Sequence, residues 1–258
     1  MTEKLQFEMQ DHTALITINN PAANTWDADN LQALEALIKD LNADPNCYSL
    51  VITGAGDKFF SAGADLNLFA SGDPEHAGII ANHFHAAFQA LTHFNGVSVA
   101  AINGYAMGGG LECAMSCDIR IAEAQAVMAL PEATVGLLPA GLGTQHLPWL
   151  VGEGWAKRMI LCGERVDAET ARSIGLVEEV VPKGESLARA LAIAASTAKQ
   201  SPTSVAACKQ LIMAARHKSM PESFDDERKA FVALFSTLDQ KEGVNAFLEK
   251  RAPDWKNA

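Results

Sequence analysis

Two short apolar runs open the chain, Leu5–Met9 and Thr13–Asn19, parted by the turn-like Gln10-Asp11-His12. The second, TALITIN, alternates apolar with polar positions, and that period of two predicts a half-buried strand that Pro21 ends. From Asp29 to Leu41 the period changes. Apolar residues at 31, 34, 37, 38 and 41 line one face of a predicted helix, with Asp27 or Asp29 as its N-cap. SLVIT (49–53) reads as a short buried strand, and the glycine-rich segment GAGDKFFSAGADL follows it.

The same order then recurs: a helix over His83–Phe94, a buried strand VSVAAIN (97–103), and a second glycine-rich turn, GYAMGGG, entering a helix at about Leu111. Strands are expected again at Asp118–Ala122 and Val127–Leu130. This is a repeated strand–turn–helix plan of α/β class, without obvious sequence identity between its units. Residues 143 to 198 read as short helices joined by Gly and Pro. Beyond Pro202 the pattern is wholly helical, over Thr203–Arg216, Pro221–Leu238 and Glu242–Lys250. No linker sets this tail apart, so residues 1–200 form the expected core and 201–258 an appended helical region.

Composition narrows the class of function. With 258 residues, 48% of them apolar and 20% charged, the chain is long and apolar enough for a large core. A net charge of −11 argues against nucleic acid as the main partner. No apolar run is long enough to span a bilayer, and MTEKLQFEM resembles neither a signal peptide nor a transit peptide, so a cytoplasmic protein is expected. Five cysteines, at 47, 113, 117, 162 and 208, show no framework spacing and are expected as buried thiols. Cys113 and Cys117 would share a helix face, without further metal ligands nearby in sequence.

The glycine turns are the first candidates for chemistry. A phosphate cradle would want Lys-Ser/Thr after its last glycine, whereas Leu111-Glu112 follows here, and a carboxylate would repel a bound phosphate. An oxyanion site is the other option. Gly109 can bring its N–H close to a ligand at the head of a helix, and SAGADL (61–66) offers a second N–H at Ala64. Glycine spacing alone also allows two tight turns with a purely packing role.

Three segments together, FFSAGADL, AAINGYAMGGGLECAMSCDIRIA and PEATVGLLPAGLGTQ, resemble the enoyl-CoA hydratase/isomerase (crotonase) superfamily, and the likeness runs along nearly the whole chain. It implies a crotonase-like core of repeated ββα units in a spiral, with a C-terminal helical region that builds trimers, often paired into hexamers. It also implies that the N–H groups of Ala64 and Gly109 hold the thioester oxygen of an acyl-CoA. By the same resemblance Ala62 and Ala64–Asn67 (Ala64, Asp65, Leu66, Asn67) follow the bound CoA arm, and Lys250, beside Arg251, reaches a neighbouring subunit's CoA.

Family hydratases carry two glutamates, and the matching positions are Glu112 and Glu132, 20 residues apart. The resemblance implies hydration of trans-2-enoyl-CoA to 3-hydroxyacyl-CoA, with Glu112 as base on the water and Glu132 supplying the α-proton. Neither metal nor redox cofactor is expected. The resemblance also places Phe231 next to the substrate. Without the resemblance, Glu132 reads as a turn-start charge after Pro131, Lys250-Arg251 as a solvated helix end, and Phe231 as core. The alternatives are a Δ3,Δ2-enoyl-CoA isomerase, another crotonase-type reaction, or a non-catalytic acyl-CoA-binding subunit. A serine hydrolase would need partners for Ser61 that are not evident. Between Lys58 and Arg120 there is no lysine or arginine, which points to a neutral acyl tail. His83, His85 and His93 are the polar residues that qualify this. The chain departs from the commonest family pattern at Leu111 and at His146.

Overall fold

The computed structural model describes residues 3–258; Met1 and Thr2 of the opening segment lie outside the described residues. The first two strands, β1 (Leu5–Gln10) and β2 (Thr13–Ile18), form an antiparallel hairpin in which Leu5 faces Ile18 and Gln10 faces Thr13. Helix α1 (Ala28–Ala43) follows, capped by Asp27, whose side chain accepts from the Asn30 N–H while Asn30 returns a bond to the Asp27 N–H. Of the two caps expected, Asp27 is the one used; Asp29 sits in the first turn, where its charge suits the helix dipole.

From there the chain repeats one unit three times. A strand joins a large sheet, a short strand joins a small sheet, and a helix returns. The first unit is β3 (Ser49–Gly54), β4 (Phe59–Ser61) and α2 (Pro74–Thr92). The second is β5 (Val97–Ile102), β6 (Tyr105–Met107) and α3 (Gly109–Met115). The third is β7 (Ile119–Glu123), β8 (Val127–Ala129), a single 3-10 turn at Glu132–Val135, and α4 (Gly143–Leu161), which kinks at Gly152. Next come β9 (Val166–Asp167), α5 (Ala168–Ser173), β10 (Glu179–Val181) and α6 (Ser186–Thr197). The strand order is β1-β2-β3-β5-β7-β10 in the large sheet and β4-β6-β8-β9 in the small one.

The parallel pairs β3–β5, β5–β7, β4–β6 and β6–β8 make both sheets advance in step, as expected for a spiral of ββα units. The core lies between the sheets and helices α1 to α4, with Trp26, Phe60, Phe88 and Phe94 fully buried. A smaller cluster, Val51, Val99, Ala101 and Ile121, packs under α6 on the far face of the large sheet.

Several boundaries differ from those read in the sequence. Helix α2 begins at Pro74, not His83: Asp73 caps it and Pro74 suits the first helical position, while residues 74–79 put no side chain in the core and so show no apolar stripe. Helix α3 begins at Gly109, so two of the three consecutive glycines belong to the helix. The segments read only as glycine turns contain β4 and β6, three-residue strands too short for a period to show. The tail is helical as expected: α7 (Pro202–Ala214), α8 (Met220–Leu234) and α9 (Leu238–Glu249). Cys47, Cys113 and Cys117 are buried as expected, but Cys162, just beyond α4, and Cys208, on α7, are exposed.

Candidate active site

Strands β4, β6 and β8 run parallel, so all three end at the same edge of the small sheet. Ligands in α/β sheets gather outside the carboxyl ends of the strands. Here the chain leaves those ends as Ala62–Asp65, as Gly108 and as Leu130–Glu132, and a cavity of about 440 Å³ opens between them. Ala62, Ala64, Asp65, Leu66, Gly109, Glu112 and Glu132 all line it, so the fold brings together three segments up to 70 residues apart. Asn67 does not line it; its side-chain amide is turned onto the Asp65 carboxylate, 2.8 Å away. Lys250 does not line it either: it is the exposed, left-handed cap of α9, beside Arg251, which pairs with Glu242 and Glu249.

The two turns expected to donate N–H groups meet. Trp26 binds the loop on both sides of Ala64, donating to Gly63 O and accepting from the Asp65 N–H, at 2.8 and 2.9 Å. The Ala64 N–H between them has no acceptor among the described residues, nor has the Gly109 N–H at the start of α3. Gly63, at φ +93°, lets the loops touch: a Cβ there would lie 2.7 Å from Met107 O and 3.2 Å from Gly109 N. Two unpaired amides therefore border one cavity, and the Gly109 amide carries the positive end of α3.

Glu112 sits in the first turn of α3 and is 2% exposed. Its Oε1 accepts two N–H bonds, from Gly141 at 2.8 Å and from Gly143 at 2.7 Å, and Oε2 takes none from the described residues. Burial pushes this carboxyl up to about 8, against the two amides, with nearby Glu132 adding to the rise. Glu132 opens the 3-10 turn after Pro131, so it does hold the turn-start place its sequence neighbours suggest, and it faces the cavity as well. Burial raises it to about 7. Its Oε2 is buried without a hydrogen-bond partner among the described residues.

The rest of the lining is apolar or small, including Phe69, Phe84, Val135, Leu137 and Leu138, and among the described residues it contains no Lys, Arg or His. His83, His85 and His93 all lie on or just beyond α2 without reaching the cavity. Ser61 is buried and does not line the cavity; its hydroxyl accepts from the Gly63 N–H. Phe231, expected in the core, is 62% exposed and stacks edge-on with Phe235. His146 is buried between α2 and α7, its Nδ1 3.3 Å from Arg216 and its Nε2 3.4 Å from the Thr92 hydroxyl. Burial, then Arg216, lowers it to about 4, so it is a neutral structural link. No group of three or more metal-ligating side chains occurs among the described residues, nor is any helix there long and apolar enough to cross a membrane.

Sequence reasoning did not single out Gly141 and Gly143, because their contribution is backbone N–H and no side chain marks it. The available signal is the G-L-G spacing at the head of a helix. Between them Leu142 is left-handed, at φ 76° and ψ 6°, a conformation that costs a non-glycine residue about 1–2 kcal/mol.

Residues 8–258 match the sequence model of the family described as Enoyl-CoA hydratase/isomerase. The chain is 38% identical over 250 residues to an Escherichia coli 2,3-dehydroadipyl-CoA hydratase, covering 96% of each. Among solved structures it superposes on Pseudomonas aeruginosa DspI with a TM-score of 0.96 and 63% identity, covering 98% of this chain and 97% of that one. An enoyl-CoA hydratase from Bacillus anthracis gives a TM-score of 0.94 at 33% identity, over 99% of this chain and all of the other.

Proposed function

Because the chain belongs to the enoyl-CoA hydratase/isomerase family, we propose that it adds water across the double bond of trans-2-enoyl-CoA thioesters, giving 3-hydroxyacyl-CoA in acyl-CoA degradation. The observation that carries this reading is the pairing, around one cavity, of two raised carboxyls with two amides that lack acceptors.

Hydration needs a nucleophile at the β-carbon, a proton at the α-carbon and a sink for the charge between them. Glu112, through its donor-free Oε2, takes a proton from water as the water oxygen bonds to the β-carbon. The π electrons move onto the thioester oxygen, where the Ala64 and Gly109 N–H groups form the oxyanion hole. In a known case one such donor is worth about 2.7–4 kcal/mol. Glu132 then gives its proton to the α-carbon, and the pair returns to its starting charge by passing a proton from Glu112 back to Glu132. The two N–H bonds on Glu112 favour its anion, and the unpartnered oxygen of Glu132 favours its acid form. The step balances without a metal or redox group, so no cofactor belongs to the reading.

The acyl tail is neutral in this account. A 2,3-dehydroadipyl group ends in a carboxylate, and the cavity offers such an end no cation while already holding Asp65, Glu112 and Glu132. Ala62, Asp65, Leu66 and Asn67 are assigned to the CoA arm, with Lys250 reaching the CoA of a neighbouring copy in a trimer or dimer of trimers. The apolar residues exposed on α8 and α9, Phe224, Phe231, Phe247 and Leu248 among them, support that association. The unpaired thiols suit a reducing compartment.

A panel of enoyl-CoA substrates, with products resolved as hydrated or isomerised, tests the reading. Crotonyl-CoA should be hydrated, at a kcat/KM at least tenfold above that of an ω-carboxylated enoyl-CoA. A preference for the acid would overturn the neutral-tail assignment. Isomerised products alone would favour the Δ3,Δ2-isomerase, which shuttles one proton and adds no water.

A further inference from the structure

Leu142 is the sole apolar residue with positive φ among the described residues. It stands between the two amides that share Glu112 Oε1. In an extended chain the N–H groups of residues i and i+2 lie roughly 7 Å apart and cannot bind one oxygen. A left-handed residue between them curls the backbone into a small anion-binding concavity, and the two amides converge. The structure holds Leu142 in that state from two sides. Its half-buried side chain packs against the main core, and its carbonyl starts α4 by accepting from the Gln145 and His146 N–H groups, both at 2.9 Å. The fit is close: a Cβ on Gly143 would come within 2.7 Å of Glu112 Oε1.

We propose that Leu142 is a positioning residue for the hydration reaction, its left-handed backbone aiming the Gly141 and Gly143 N–H groups at Glu112 Oε1 so that Oε2 alone meets the water. This rests on the hydratase reading. The device does two things at once. It fixes which carboxylate oxygen is occupied, and it stabilises the charged form of a base that burial would otherwise keep protonated. A merely structural turn would do neither.

The test compares kcat and KM for crotonyl-CoA across pH in the wild type, Glu112→Gln, Leu142→Val and Leu142→Gly. A β-branched side chain resists positive φ, so Leu142→Val should swing the amides off Oε1. The expected result is a kcat at least tenfold lower, KM within twofold, and the ascending limb of the kcat profile moved to higher pH by one unit or more. The sign follows because Glu112 must be ionised, and losing two donors makes ionisation harder. Leu142→Gly takes φ 76° freely and should rescue both kcat and the limb relative to Leu142→Val. If the valine variant does not fold, Leu142→Asn, which tolerates positive φ, should keep the limb, and Leu142→Ala should shift it. A folded Leu142→Val, or an alanine variant, with the wild-type limb and kcat overturns the positioning role alone. Turnover that Glu112→Gln leaves intact overturns the hydratase reading and this proposal together.

Discussion

Burial raises both Glu112 and Glu132, to about 8 and about 7, which makes ionising both in one cleft unfavourable. The coupled pair therefore keeps a proton between them near neutral pH, and hydration by the proposed route requires that proton to sit on Glu132 when the water attacks. The same shift has a consequence for stability. Unfolded, each carboxyl titrates near the ordinary glutamate value; folded, each holds its proton to higher pH. The native state thus binds more protons between about pH 4.5 and 8, so the stability tied to these groups is complete below that window and declines through it. Glu112→Gln removes one titration and keeps a carbonyl to accept from Gly141 and Gly143. Urea unfolding should therefore show the variant gaining on the wild type from pH 5 to pH 8, by roughly 1–3 kcal/mol. A difference that does not vary with pH would contradict the burial argument.

At the scale of elements, what the sequence conveys depends on length and on whether side chains or backbone do the work. Strands β2, β3 and β5 and helix α1 are legible because each buries a regular face over six or more residues. The short strands β4 and β6 are not, since three residues are too few for a period, whereas β8 is read within Val127–Leu130; the carboxyl edge that all three share borders the cavity. Helix α2 is half legible: Phe84, Phe88 and Leu91 form a stripe, while Pro74–Ile79 face solvent. The glycine turns could be read from the residues, but as oxyanion turn or plain packing alike, and Glu132 read alone as a turn-start charge; the family likeness is what pairs it with Glu112 as a candidate carboxylate. The clamp on Glu112 could not, since Gly141 and Gly143 contribute only N–H and Leu142 only its φ.

The whole molecule divides its apolar surface unevenly. The spiral core covers its own, whereas α8 has no buried residue and Phe247 on α9 is 84% exposed. Apolar faces of this extent call for a partner surface, and in the proposed trimer a second copy supplies it. Phe247→Asp or Leu248→Asp should lower the mass in sedimentation from a multiple of three chains towards one, with weaker CoA binding if Lys250 acts across the interface. A wild-type monomer at micromolar concentration would remove the shared-site assignment. None of this alters the cavity, which one chain's three turns already surround.

In the proposed reaction two carboxyls divide the work of adding water. The direct measurement is loss of enoyl-thioester absorbance with crotonyl-CoA for the wild type, Glu112→Gln and Glu132→Gln, each checked for wild-type folding by circular dichroism. Each variant should fall by about 10²–10⁴-fold in kcat, the range for losing a positioned acid or base. Near-wild-type turnover in either folded variant would rule out that division of labour.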